Sequence, residues 1–214
     1  MEEPTHAERW ERLLGLLAPL HVQALATARR LSRSAAEGDD LYQEAVLRAF
    51  QKLLQLRDEG RFRSWFFAVL LSVHRGRCRR AFWRRFLPLA DVHADGFEPA
   101  GDDGRQRADE HEQAVRASRA LATLPAVQRE AVVLHDIETF SMAEIAAMQG
   151  VTVSAVKTRV ARGRERLRAH YRRLGLDPRP VSRLVTSAQA ASAPERQPPV
   201  GWTASRPPVR RESS

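Results

Sequence analysis

Apolar residues return every three or four positions in one block after another: from Trp10 to Leu31, from Leu41 to Leu56, and from Phe62 to about Phe86. That interval is one turn of an α-helix, so each block reads as a helix with an apolar face. The rhythm breaks at Pro88, Gly96, Pro99, Gly101 and Gly104, resumes from Ala114 to Leu124, and stops at Pro125. It then returns as Ala126–Asp136, Met142–Met148 and Val153–Leu174. No apolar–polar alternation persists long enough to suggest a strand. The spacing predicts an all-α chain of two small helical domains, residues 1–86 and 114–174. Between them, residues 87–113 carry Asp91, Asp95, Glu98, Asp102, Asp103 and Asp109, and read as a flexible acidic linker. Residues 175–214 are rich in Pro, Ser, Ala and Arg, with too few large apolar groups to offset the entropy of ordering. A disordered tail is expected there.

Charge narrows the partner. The formal net charge is +9, and Lys52 and Lys157 are the only lysines among 35 basic residues. Arginine in that excess favours an anionic partner, because its planar fork suits phosphates and guanine edges. Cys78 stands alone, so no internal disulfide or cysteine-rich zinc site is available. His21, His74, His93, His111, His135 and His170 are scattered, no carboxylates cluster at metal-ligand spacing, and Cys78 has no obvious base. The expectation is no metal, no cofactor and no enzymatic activity. The N-terminus lacks a signal pattern, and no apolar run approaches the ~20 residues of a membrane span. A soluble cytoplasmic chain without membrane insertion is expected.

The segment SMAEIAAMQGVTVSAVKTRV carries a moderately specific pattern. Ser141 with Glu144 forms a capping-box signature, Gly150 supplies a sharp turn, and Thr152 can cap a second helix. Val153, Val156 and Val160 are expected to point inward. The opposite face offers Thr152, Ser154, Ala155, Lys157, Thr158, Arg159 and Arg162. This is the design of a helix-turn-helix that presents donors to a DNA major groove. Downstream, Arg164, Arg166, Arg168, Arg172 and Arg173 have only Glu165 as counter-charge nearby, so local salt bridges do not account for them.

The N-terminal part differs in character. GDDLYQEAVLRAFQKL sets Asp39, Asp40, Gln43 and Glu44 on or beside one helix surface, with Leu41, Ala45, Val46, Leu47 and Phe50 available for packing. Such a patch suits a basic protein surface rather than DNA. Next, RFRSWFFAVLLSVHRGRCRRAFWRR contains Arg61, Arg63, Arg75, Arg77, Arg79, Arg80, Arg84 and Arg85 with no acid. Its aromatics could stack on unpaired bases, although Phe62, Trp65, Phe66 and Phe67 are expected mostly in the core, and Phe82 and Trp83 at the surface.

Taken in order, these motifs resemble bacterial RNA polymerase sigma factors of the extracytoplasmic-function (ECF) type. The resemblance rests on "DDLYQEAVLRAF", the basic aromatic helix, the variable linker and "LPAVQREAVVLHDIETFSMAEIAAMQGVTVSAVKTRVARGRERLR", over about residues 10–173. It implies that Asp39, Asp40, Gln43 and Glu44 dock the clamp helices of the core polymerase β′ subunit. It implies that the loop Leu56–Ser64 and the following helix, with Arg61, Arg63, Ser72, Arg75, Arg77, Arg79 and Arg80, open and bind the −10 promoter element. The helix from Thr152 to Arg168 would read the −35 element, and an anti-sigma factor would be a further partner. Ser72 stands where the family often has Asn, and Gly76 where it often has Asp. The alternative is a one-component helix-turn-helix regulator, which would bind its promoter without polymerase.

Overall fold

The computed structural model describes residues 5–84 and 116–176, with the side chains of 82–84 excepted, and every regular element among them is a helix. The expected linker and tail lie outside the described residues, as do the side chains of Phe82 and Trp83.

Helix α1 (His6–Leu17) starts at a capping box, Thr5 with Glu8, and buries Leu13 and Leu17. The block from Trp10 to Leu31 is two helices rather than one. Pro19 lies in a 3₁₀ turn, Ala18–Leu20, where its missing N–H and fixed φ end α1 and let α2 (His21–Leu31) begin. Helix α3 (Ala35–Lys52) starts a turn and a half earlier than the apolar rhythm implied, because the Ser34 hydroxyl accepts the Glu37 N–H. Helices α2 and α3 cross at Gly38, where a Cβ would sit 2.5 Å from the Arg29 Cα. Only glycine permits that approach. On α3, Leu41, Ala45 and Phe50 pack inward as expected, whereas Leu47 is exposed, since it falls on the face turned away from α2 and α4.

Two 3₁₀ turns lead into α4 (Phe62–Arg84), the central helix. Its first half is apolar nearly all round: Phe62, Phe66, Phe67, Leu70 and Leu71 are buried, while Trp65 is half-buried. This follows from its position, with α3 on one side and the C-terminal helices on the other.

The second group of helices comprises α5 (residues 116–122), α6 (Ala126–Val132), α7 (Met142–Gln149) and α8 (Val153–Arg173). Helix α6 widens at its end into a π turn, Val133–Ile137, closed by the Glu138 N–H on the Val133 carbonyl at 3.0 Å. The local signals of the helix-turn-helix hold. Ser141 and Glu144 form both bonds of the capping box, Gly150 has φ 65°, and the Thr152 hydroxyl accepts the Ala155 N–H. Ile145, Met148, Val156 and Val160 are buried, but Val153 is 39% exposed. Val153 is the first residue of α8, ahead of the point where α8 meets α7.

One apolar core runs through both groups, and polar contacts surround it. The Phe140 ring stands edge-on to Phe67 with centroids 5.0 Å apart, and the Arg63 guanidinium lies over Phe140 at 4.0 Å. Arg129 of α6 donates to the Leu31 carbonyl at the end of α2 at 2.8 Å.

Candidate nucleic-acid interface

On helix α8 most of the side chains expected to face DNA lie at the surface. Thr152, Ser154, Lys157, Thr158 and Arg162 are exposed, and Ala155 and Arg159 are half-buried. Each polar group has a local reason for its position. The Thr152 hydroxyl caps the helix, and the Thr158 hydroxyl bonds back to the Ser154 carbonyl at 3.1 Å. Arg159 is drawn sideways, with its Nη1 donating to Gln149 Oε1 at 2.7 Å. Lys157 and Arg162 are exposed within the first three turns, on the side where a major groove would lie.

The expectation that Arg164 lacks a counter-charge is corrected. Its guanidinium grips both oxygens of Asp136, with Nε to Oδ2 at 2.9 Å, and His135 meets the same carboxylate at 2.6 Å. Burial pushes the Asp136 carboxyl up, but the bonds from His135 and Arg164 outweigh it and hold it below the usual carboxylate range. The partner comes from the π turn, far off in sequence, which is why local charge counting overlooked it. Arg166, Arg168, Arg172 and Arg173 remain exposed.

On α4 the arginines divide. Ser72, Arg79 and Arg80 are exposed, and Arg61 pairs with Asp58 at 3.2 Å. Arg77 turns toward α3, donating to Glu44 at 2.8 Å and to the Asp40 carbonyl at 2.9 Å. Arg63 and Arg75 turn toward the C-terminal helices. Arg63 donates to the Glu138 carbonyl at 2.6 Å, and Arg75 caps the end of α7 through the carbonyls of Met148 and Gln149, the latter at 3.0 Å.

The acidic patch divides likewise. Asp40 and Gln43 are exposed, whereas Asp39 is held by both arms of Arg29 at 2.7 and 3.1 Å. Glu44 faces Arg77 and, at 3.5 Å, Arg80. Burial raises the Glu44 carboxyl, but the Arg77 bond and the two arginine charges more than offset this and hold it low.

A buried polar chain connecting α4 to the helix-turn-helix has no counterpart in the sequence reading. His74 Nδ1 meets Glu130 Oε1 at 2.9 Å, Glu130 Oε2 accepts from Gln149 Nε2 at 3.1 Å, and Gln149 in turn holds Arg159. Burial alone would depress the His74 imidazolium, but bonds to Cys78 and Glu130 raise it to about 9. His74 Nε2 lies 3.5 Å from the Cys78 sulfur, and the hydrogen bond and charge of this imidazolium pull the thiol below its ordinary value. Their spacing of one helical turn was the signal available for that pair. Glu130 belongs to the quoted LPAVQRE motif, but nothing local pointed to its partners, and nothing local marked Gln149. Among the described residues no group of His, Cys, Asp and Glu could hold a metal, and no helix is long and apolar enough to cross a membrane.

Residues 16–84 match the family described as Sigma-70 region 2, and residues 114–167 match Sigma-70, region 4. The chain is similar to ECF RNA polymerase sigma factor SigM of Mycobacterium tuberculosis, 36% identical over 147 residues, covering 69% of this chain and 70% of that one. It is also similar to RNA polymerase sigma factor CnrH of Cupriavidus metallidurans, 30% identical over 165 residues, covering 74% and 86%. Among solved structures, it resembles sigma factor RpoE in complex with the anti-sigma factor NepR from Bartonella quintana. That match has a TM-score of 0.57 and 26% identity, and covers 74% of this chain and 93% of that one. CnrH in complex with the cytosolic domain of CnrY gives a TM-score of 0.53 at 26% identity, covering 77% and 90%.

Proposed function

The chain belongs to the ECF RNA polymerase sigma factors, and on that premise we propose how its surfaces share the work. As a sigma factor it binds core RNA polymerase and directs it to promoters for initiation. Residues 1–86 form the unit for polymerase and the −10 element, residues 114–174 the unit for the −35 element, and residues 87–113 the connection between them.

In this reading Asp39, Asp40, Gln43 and Glu44 dock the polymerase β′ clamp helices. Arg61, Arg63, Ser72, Arg75, Arg77, Arg79 and Arg80 line the −10 strand, where stacking and phosphate contacts offset the few kcal/mol of unstacking a base. Thr152, Ser154, Ala155, Lys157, Thr158, Arg159 and Arg162 read the −35 duplex. The carrying observation is a contrast between helices: on α3 Asp40 and Gln43 are exposed beside the arginine-paired Asp39 and Glu44, while the exposed charges of α8 are basic except Glu165 and Arg79 and Arg80 are exposed on α4. A pure DNA-binding regulator has no use for that acidic face. The protein works by binding and makes or breaks no bond, in the cytoplasm beside its polymerase. An anti-sigma factor is its regulator, as NepR and CnrY are the partners of the two solved relatives.

Reversing charge at the dock tests the assignment. Asp40→Arg should lose co-purification with core polymerase, because like charges meeting across an interface cost several kcal/mol. Undiminished co-purification of both Asp40→Arg and Glu44→Arg would remove this helix from the interface.

A further inference from the structure

Cys78, the single cysteine of the chain, stands on α4 at one end of a row of side chains that polymerase and promoter binding do not use. Its sulfur lies 3.5 Å from His74 Nε2, and His74 Nδ1 lies 2.9 Å from Glu130 Oε1 on α6. The order is sulfur, imidazole, carboxylate, in which each group orients the one before it. Glu130 is fixed in turn, since it is fully buried and its other oxygen accepts from Gln149 Nε2 at 3.1 Å. His74 is also buried, so its ring has no access to competing water. Cys78 is only half-buried, which leaves it open to a small solute.

A second feature points to an oxygen acceptor at this place. Arg129, beside Glu130 on α6, is 7% exposed, and its Nη1 and Nη2 donate to the carbonyls of Leu31, Ser32, Ala122 and Leu124. Its Nε has no partner. A buried donor without an acceptor is costly and rare enough to call for an explanation. Among the groups that favour the charge on Arg129, Cys78 acts most strongly, which puts the sulfur within the field of this guanidinium.

We propose that Cys78 is a peroxide-reactive thiol, oxidised to a sulfenic acid within the cluster of His74, Glu130 and Arg129. The sulfur, as thiolate, attacks the terminal oxygen of a hydroperoxide; the S–O bond forms, the O–O bond breaks, and two electrons pass from sulfur to the peroxide. The departing oxygen takes the proton of His74 Nε2 and leaves as water, or as an alcohol from an organic peroxide. The new oxygen on Cys78 is the acceptor that the Arg129 Nε lacks. With no second cysteine in the chain an internal disulfide cannot close. Two equivalents of an external thiol return the sulfenic acid to thiol, leaving as their disulfide with one water. The chain is a reactant here and not a catalyst.

Charge favours the reactive form. The hydrogen bond from His74 pulls the Cys78 thiol down, burial opposes it, the charges of His74 and Arg129 add to the pull, and Glu130 works against it. His74 is raised to about 9, so near neutral pH it is an imidazolium with a proton to give.

The full chain is the right reagent for the test, because every thiol reaction on it reports Cys78 alone. Hydrogen peroxide is added with dimedone, which traps sulfenic acid, and the adduct is followed by mass spectrometry; alkylation by iodoacetamide is followed against pH in parallel. An ordinary thiol is only about 3% thiolate at pH 7, so a site that favours the thiolate can speed both reactions by about tenfold. The folded chain should therefore react about tenfold faster with each reagent at pH 7 than the same chain unfolded in urea, and its alkylation midpoint should lie at lower pH. His74→Gln should bring the peroxide rate down toward that of the unfolded chain and move the alkylation midpoint up, because the imidazolium supplies both charge and proton. Folded and unfolded parent need no substitution, so a misfolded His74→Gln leaves that comparison intact. A folded chain that reacts no faster than the unfolded one, or a folded His74→Gln that keeps the parent's peroxide rate, overturns the proposal. Fast alkylation with no trapped sulfenic acid overturns it as well.

Discussion

Replacing Arg164 by alanine is expected to destabilise the fold while leaving DNA contacts intact, although Arg164 lies in the most basic stretch of the chain. Its guanidinium binds both oxygens of Asp136, whose side chain is 2% exposed. Without it the buried carboxylate keeps only His135 beside it. Breaking a fully buried ion pair from one side costs about 3–5 kcal/mol. The Arg164 side chain is 34% exposed, so water screens part of that interaction and about 2 kcal/mol is expected. With a urea dependence of about 2 kcal/mol per M, the unfolding midpoint should fall by about 1 M. The neighbouring Arg162 is exposed, and Arg162→Ala should stay within about 0.5 kcal/mol of the parent. On duplex DNA the order reverses: Arg162→Ala should flatten the salt slope by about 0.9, and Arg164→Ala should leave it unchanged. A stable Arg164→Ala with a flattened slope would refute the reasoning and turn Arg164 outward to phosphate.

Gly38→Ala should cost about 1–3 kcal/mol in thermal unfolding, because its Cβ would meet the Arg29 backbone, which cannot move aside. Gly76→Ala, with nothing within 4 Å, should instead stabilise α4 by up to about 1 kcal/mol. The His74 pKa is raised from 6.5 to about 9 in the folded chain, so its contribution is complete below 6.5 and lost as pH rises through about 9. Urea midpoints followed across that range should decline in the parent, and the decline should be absent in His74→Gln. Arg159→Ala should weaken binding to a matched −35 duplex by about 1–3 kcal/mol more than to a scrambled one, whereas Arg172→Ala should weaken both alike. Equal losses for Arg159→Ala would make it a phosphate contact.

What the sequence made legible was local. Ser141 with Glu144, Gly150 and Thr152 act within a turn of their own positions, so their spacing alone foretold the caps and the left-handed turn. The apolar rhythm found the helices but not the division at Pro19, because α1 and α2 share a face toward the core. Leu47 and Val153 were assigned inward by periodicity and emerged exposed, since how much of an apolar face is covered depends on where a neighbouring helix lies. The residues proposed to touch polymerase and DNA on α3, α4 and α8 were chosen largely by charge. Their pairings were not legible: Arg164 with Asp136, Arg75 with the end of α7, Arg63 with Glu138 and His74 with Glu130 all join segments distant along the chain. Glu138 lies in a stretch, DIETF, for which the sequence reading named no contact, and its bonds to Gln23 and Thr27 follow from tertiary packing.

Run-off transcription from a library of promoter fragments, with core RNA polymerase alone and with the full chain added, tests the central claim most directly. The account predicts discrete transcripts only when the chain is present, and their disappearance with Asp40→Arg. It also predicts promoter binding by the chain alone that is much weaker than binding by the assembled enzyme. Tight, sequence-specific binding without polymerase, with no change in transcription start sites when core enzyme and chain are combined, would contradict it and favour a one-component regulator.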